Sequence, residues 1–393
     1  MEREHLPFST YKDTVDASLL SEEAKRLVEA EKSIPVKIGI DQSLRIKVID
    51  LCGHGCTFCH NEGTLVNENQ ANYRTSIFLE NQKDLLDFKG FQAEIIEPDE
   101  EFLGELELAK AHLNVAEIHM TGGEPTQHPK LVQLVELMSK NGLSVKMTSN
   151  GESGGRIYKD LARAGLKGVN FSIFGSTPKE YSETQPPGFG LNWAKRKLLL
   201  SQEAIESAKA KGIDTKANCV MRNAEDKDRI VRLLNRANEE GFDLRVLNDL
   251  SSGQESVSSI YNLMADLKAT PSQIHLLAGV SSTISYFELP NGQKVGFKQI
   301  RNLRLNLACD NCFIDEVGRC EEGYYGLRLY RRRIDGDEYV MGVCIQRMDL
   351  AMTTRDFYKS AYPDEVNKLK KDEWENMQSI FTYSTTVPDS INA

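Results

Sequence analysis

Residues 115–150 read VAEIHMTGGEPTQHPKLVQLVELMSKNGLSVKMTSN: a β-like run, a glycine turn, an amphipathic helical run and a second β-like run. A strand, a helix and a strand in that order predict two parallel strands joined by a right-handed crossover. Working outward, the alternation recurs. LRIKVID lies upstream, and GVNFSIFG, DTKANCVM and DLRVLND lie downstream, separated by helical segments such as GRIYKDLARAG and DKDRIVRLLNRANEEG. About six such units predict an α/β fold, a partial (β/α)6 TIM-like barrel whose open parallel sheet curves around a cleft. Ligands in such sheets bind at the C-terminal ends of the strands.

The rhythm changes after about residue 250. A helix near Ile260 to Leu267 precedes a hairpin pattern, ISYFELPNGQKVGFKQI, in which Asn291-Gly292 is a specific turn signal. The expected division is an N-terminal helical extension over 1–40, with SEEAKRLVEAEK as its clearest helix, a barrel over 41–250 and a C-terminal cysteine-bearing module over 251–393. Hydrophobic residues make up 40% of the chain and charged ones 27%, enough to fill a core under an ordinary hydrated surface. A formal net charge of -10 opposes broad contact with nucleic acid or membrane, both of them anionic. With no apolar run long enough to span a bilayer and no targeting segment, the expected location is the cytoplasm.

Eight cysteines in 393 residues are too few for a disulfide scaffold, and they are grouped: Cys52, Cys56 and Cys59, then Cys309, Cys312, Cys320 and Cys344, with Cys219 alone. Grouped thiolates in a reducing compartment point to metal. The first group stands in IDLCGHGCTFCHNEG, a CxxxCxxC loop directly after a strand pattern. Three thiolates on one short loop can hold three corners of a [4Fe-4S] cluster and leave the fourth iron open to an outside chelate. The amino and carboxylate groups of S-adenosylmethionine (SAM) would serve. Zinc is the alternative, with His54 or His60 as a fourth ligand.

From about residue 44 to 350 the sequence resembles the radical SAM superfamily. HMTGGEPTQHP is similar to its GGEP motif, which implies that the Gly122 and Gly123 backbone approaches the SAM amino group and that Glu124 accepts from it. The resemblance also implies that Thr148, Ser149 and Asn150 of KMTSNG contact the methionine carboxylate or ribose, and that Ser172 of NFSIFG is a further SAM-contacting position. Asn218 and Val220 of KANCVM then meet ribose and adenine. Taken singly, each is equally a polar strand terminus.

Within the superfamily the nearest resemblance is to the GTP 3',8-cyclases of molybdenum cofactor biosynthesis, the MoaA-like enzymes. It rests on CHNEG, on Lys216-Ala217-Asn218, on VGFKQIRNLRLNLACDNC and on LRLYRRRIDGDEYVMGVC. It implies substrate contacts at Lys216 and Arg328 and a second, auxiliary cluster in a Twitch or SPASM-type module. The departures are a fourth cysteine, Cys320, Gly326 where the family has an arginine, and an ending SINA in place of Gly-Gly. They imply a divergent member and not the cyclase itself.

Cys309, Cys312, Cys320 and Cys344 could close around an auxiliary [4Fe-4S] cluster. Four thiolates favour complete ligation and electron transfer over an open iron, and they equally suit zinc. Cys219 reads as a packed strand residue. Arg328 and Arg331 to Arg333 could face an anionic substrate or a solvated surface. The expected enzyme reductively cleaves SAM to a 5'-deoxyadenosyl radical. It takes hydrogen from a nucleotide, nucleoside or sugar, phosphorylated or not, in cofactor or natural-product biosynthesis, with a flavodoxin- or ferredoxin-type electron donor. No catalytic acid or base stands out. The alternatives are a peptide-modifying radical SAM enzyme, which commonly carries a longer N-terminal leader-binding domain, and a non-catalytic zinc or iron-sulfur protein.

Overall fold

The computed structural model describes residues 15–59, 94–312, 314, 320, 322–333 and 337–381. His60 to Gly63 of CHNEG, Asp335-Gly336 and most of the stretch between Cys312 and Cys320 lie outside them. In chain order the strands are β1 (Val36–Ile40), β2 (Ser43–Lys47), β3 (Glu117–Thr121), β4 (Ser144–Ser149), β5 (Leu166–Ser172), β6 (Asp214–Met221), β7 (Asp243–Asn248), β8 (Thr270–Ala278), β9 (Ser282–Glu288), β10 (Lys294–Ile300), β11 (Arg328–Arg333), β12 (Asp337–Gly342) and β13 (Met352–Thr353). The α-helices are α1 (Glu22–Ala30), α2 (Glu100–Leu113), α3 (Leu131–Lys140), α4 (Tyr158–Ala164), α5 (Pro178–Glu183), α6 (Leu191–Ala210), α7 (Lys227–Glu240), α8 (Gly253–Asp266), α9 (Asn306–Cys309), α10 (Thr354–Lys359) and α11 (Tyr362–Phe381).

Two compact units contain these elements. A cysteine-loop unit holds Gln42–Ala217 with Gly326–Pro363, and a hairpin unit holds Met1–Asp41, Asn218–Tyr325 and Asp364–Ala393; the dividing point lies inside β6. In the cysteine-loop unit the strand order is β6-β5-β4-β3-β2-β11-β12-β13. The pairs β2 with β3, β3 with β4 and β4 with β5 are parallel, each pair connected in the chain by a helix-bearing segment. This is the α/β fold with a parallel sheet expected from residues 115–150, and the succession suits an open partial barrel.

Register explains why these strands face as they do. Leu44, Ile118 and Val145 align across β2, β3 and β4, as do Ile46, Met120 and Met147, and every one of the six is completely buried. Burying each such side chain contributes roughly 1.5–3 kcal/mol. The intervening rows are polar: Arg45, His119 and Lys146 align, and Lys47 aligns with Thr121. Parallel strands buried on both faces ordinarily read as continuous apolar runs. Here one face carries paired charges, Lys146 with Glu117 and Lys47 with Asp50, so that face is lined for something other than a helix. On α3 the buried residues Leu131, Leu134, Val135 and Met138 form the single apolar stripe that a crossover helix needs.

The hairpin unit has strand order β1-β8-β9-β10-β7-β6. Its β9 and β10 are antiparallel, and the Asn291-Gly292 turn closes them with Gly292 at φ 83, a backbone conformation that favours glycine. The N-terminal stretch read as helical contains α1, capped by the Ser21 hydroxyl accepting from Ala24 N at 3.1 Å. It also contains β1, which pairs parallel with β8 and packs Val36 and Ile38 into a cluster with Ile274, Leu276, Ala278 and Met377. Among the described residues no helix is long and apolar enough to cross a membrane.

Candidate active site

The loop that leaves β2 carries Cys52, Cys56 and Cys59, all partly exposed and all free thiols. Its conformation is fixed from outside. His54 is its buried anchor, set against the rings of Phe174, Tyr181 and Trp193 at centroid distances of 5.4, 5.8 and 5.2 Å. Asn150 Nδ2 donates to His54 Nδ1 at 2.8 Å, so the other ring nitrogen carries the proton and donates to the Tyr181 hydroxyl, also at 2.8 Å. Burial keeps this imidazole neutral by lowering its pKa. Further along, Gly55 N donates to Gln185 Oε1 at 2.8 Å, Thr57 N donates to Thr184 O at 3.1 Å and Cys59 N donates to Cys56 O at 3.1 Å.

Behind the loop lies Glu152, whose buried side chain accepts from Gly53 N at 2.9 Å and pairs with the Lys197 ammonium of α6. The oxygen that pairs with Lys197 also lies 3.5 Å from His54 Nδ1, an electrostatic contact, because that nitrogen already accepts from Asn150. Burial alone would raise this carboxyl; the Lys197 ammonium opposes that and helps hold it down. With the imidazole neutral, Lys197 is the partner that matters. A Cβ on Gly53 would sit 2.0 Å from Glu152 Oε2, so glycine is what lets the carboxylate close on the loop.

Three N–H groups point at cysteine sulfur. His54 N lies 3.4 Å and Asn150 Nδ2 3.6 Å from Cys52 Sγ, and Gln185 Nε2 lies 3.4 Å from Cys56 Sγ. Burial first, then the Glu152 charge, pushes the Cys52 thiol far up, so a thiolate there calls for positive charge close by. Cys52, His54 and Glu152 place ligand atoms within 4.8 Å of one another, close enough in principle for one ion. Both ring nitrogens of His54 are already engaged and Glu152 is tied to Lys197, so neither is available as the fourth ligand of a zinc site.

Next to the loop, β3 ends in Gly122, Gly123 and Glu124. Gly123 N donates to Ile49 O at 2.7 Å and Glu124 N to Leu51 O at 2.8 Å, which presses this turn against the strand that feeds the cysteines. A Cβ on Gly123 would lie 2.2 Å from Asp50 O. The Glu124 carboxylate is buried and accepts four hydrogen bonds, from Thr126 N (2.9 Å), Thr126 Oγ1 (2.7 Å), Ser149 Oγ (2.8 Å) and Asn150 N (2.6 Å). Those contacts occupy about all the lone pairs a carboxylate offers. Burial still pushes this acid up to about 7. Glu124 thus braces the end of β4 against the end of β3.

Residues 46–237 match the sequence profile of the Radical SAM superfamily. A probable GTP 3',8-cyclase from Pyrobaculum aerophilum is 27% identical over 284 residues, covering 69% of this chain and 79% of that protein. A second probable GTP 3',8-cyclase, from Aeropyrum pernix, is 27% identical over 213 residues, 54% of this chain, and the match spans only 52% of that protein. The crystal structure of Streptococcus suis SuiB aligns with a TM-score of 0.44 at 14% identity, covering 88% of this chain and 68% of that one. The matched span contains the three-cysteine loop, the glycine turn and Asn150. Residues 46–237, just under half of the chain, are thus a Radical SAM domain.

In a radical SAM enzyme the cluster sits on three cysteines, and the donor set here fits: three thiols on one braced loop, N–H donors at two of the sulfurs, and no available fourth side chain among the described residues around it. The three cysteine sulfurs would stand on different irons, further apart than the ligands of a single ion. The other residues expected to bind SAM divide. Ser149 and Asn150 reach this site, Asn150 through its side chain to Cys52 and His54. Thr148 accepts or donates at His119 Nε2, 2.9 Å away, on the polar face of the sheet, and Ser172 ends β5 half-buried. Lys216 pairs with Asp214 at 3.1 Å. In the hairpin unit, Asn218 Oδ1 accepts from Arg245 Nε at 2.9 Å, and Val220 O accepts from the Arg229 guanidinium at 2.6 Å. Arg328 opens β11 in register with Arg45 of β2, both in the cysteine-loop unit.

The second cysteine group is assembled differently. Cys309 ends α9, Cys312 N donates to Cys309 O at 3.0 Å, and Arg304 donates to Cys320 O at 3.2 Å. Burial raises the Cys309 thiol, and the nearby Cys320 and Cys312 thiols add to the rise, so these three are neighbours. Cys344 belongs to the cysteine-loop unit, following β12. Cys219 is 2% exposed with Sγ 3.7 Å from Arg245 O, the packed strand residue its pattern suggested.

Gly53, Glu152, Tyr181, Gln185 and Lys197 were not singled out by sequence, and His54 was considered only as a metal ligand. Glu152 follows Asn150-Gly151 and Lys197 lies in a charged helical run, and neither position carries a local signal of its partner.

Proposed function

We propose that Cys52, Cys56 and Cys59 hold a [4Fe-4S] cluster that binds SAM, and that the enzyme takes hydrogen from a small nucleotide-, nucleoside- or sugar-like molecule in a biosynthetic reaction. The cluster with SAM supplies the 5'-deoxyadenosyl radical; the chain supplies position, shielding and charge. The observation that carries this reading is the braced loop. His54, one of the two histidines considered as a closing ligand, is committed to Asn150 and Tyr181, which supports an iron left open to SAM. Gly122 and Gly123 bring main chain, free of side-chain bulk, to the same place. Asn150 holds the Cys52 sulfur, and Glu124 fixes the two strand ends.

The similarity to enzymes named as GTP 3',8-cyclases supports a nucleotide-like substrate, with Arg328 and Lys216 as contacts. The departures at Cys320 and Gly326 support a divergent member, and the paired cations Lys47 and Lys146 leave less charge for a triphosphate. Cys309, Cys312 and Cys320 of the hairpin unit are then ligands of an auxiliary cluster. Anaerobic reconstitution followed by assay for 5'-deoxyadenosine with nucleosides, nucleotides and sugars tests the reading. SAM cleavage stimulated by one of them is expected. Turnover of GTP alone would make the enzyme the cyclase, and a protein that takes up zinc in place of four irons would end the proposal.

A further inference from the structure

We propose that Glu152 and Lys197 are positioning residues that balance charge beside the cluster, an inference that rests on the functional reading above. Glu152 is the unusual element. Its side chain is completely shielded from solvent, it accepts from Gly53 N within the CxxxCxxC loop, and it adds a negative charge next to Cys52. A buried carboxylate beside the Cys52 thiolate opposes both its ionisation and any further electron on the metal. Lys197, whose side chain is 15% exposed, pairs with that carboxylate and cancels its charge. The carboxylate thus shapes the loop through a hydrogen bond to main chain without burdening the metal with its charge. The space was made for it: a Cβ on Gly53 would strike Glu152 Oε2 at 2.0 Å and Lys197 Nζ at 2.8 Å.

Cluster reduction potential depends on nearby net charge and on hydrogen bonds to sulfur. A balanced pair therefore has a signature that a mere scaffold lacks. Glu152→Gln leaves an uncancelled ammonium and raises the potential. Lys197→Met leaves an uncancelled carboxylate and lowers it. The double variant is neutral again and returns toward the wild-type value.

The test is an electron-paramagnetic-resonance redox titration of the anaerobically reconstituted protein and the three variants, with iron and sulfide counted in each. Opposite shifts in the single variants, with return in the double, are expected. Shifts of the same sign, or none, overturn the proposal. Loss of the cluster from Lys197→Met alone, restored in the double variant, also supports it, because the ammonium is still absent and only charge has been rebalanced; loss in both overturns it. If the unmutated protein takes up no four-iron cluster, it is the functional reading that falls.

Discussion

Cys52, Cys56 and Cys59 lie on a loop tied by side chains from the end of β4 and from α5, α6 and the turn after α5. Cys309 ends a helix of four residues, Cys312 and Cys320 follow it, and the group is tied by main chain and one arginine. The first group has N–H donors aimed at two of its sulfurs; the second has neighbouring thiols that raise Cys309. A site of the first kind keeps its shape without metal, and binding energy goes to the ligand. One of the second kind gains much of its order from the metal it takes up. The difference accords with the proposed division, in which the first group works on an exchangeable cofactor and the second is a fixed station.

The largest effect should come from alanine at Cys52, Cys56 or Cys59. Cleavage of SAM to 5'-deoxyadenosine falls to background and about four irons per chain are lost. If one of these variants still cleaves SAM, the first loop is not the cluster site and the comparison collapses. Next, Cys309→Ala with Cys312→Ala is expected to lower iron from about eight to about four per chain while SAM cleavage persists in the absence of substrate. One zinc per chain in the unmutated protein at that group would instead make the second site structural.

Gly123→Ala drives a methyl into Asp50 O and the Leu51 carbonyl, and should cost more than about 3 kcal/mol, read as a fall in the thermal midpoint. Unchanged stability would mean that the glycine turn is not pressed on the cysteine strand as described. The smallest effect is expected from Tyr181→Phe, which removes the hydrogen bond to His54 and should cost about 1 kcal/mol with iron content unchanged. A Phe variant that loses the cluster would show that the histidine anchor, and not the loop's own turns, holds the first group together.

Much of the sheet was legible because its signals are local. VAEIHMTGG and LSVKMTSN became β3 and β4, GVNFSIFG became β5, and the Asn291-Gly292 turn closes β9 on β10. The helix expected near Ile260 to Leu267 is the latter half of α8. The bracing of the cysteine loop was not legible. Glu152 meets Gly53 across 99 positions and Tyr181 meets His54 across 127, and a single polar residue carries no pattern that names a partner so distant. Glu124 shows the opposite failure: its motif was read, but its oxygens are spent on Thr126, Ser149 and Asn150, contacts that depend on how two strand ends meet.

Cys219 offers a use unrelated to metal. Its thiol is buried on β6 and burial pushes it up to about 12, and alkylating reagents attack only thiolates they can reach. Modification at this one position, followed by mass spectrometry of its peptide, therefore times the parting of β6 from its surroundings. Because the readout ignores iron, it separates protein that has opened from protein that has only lost its inorganic cargo.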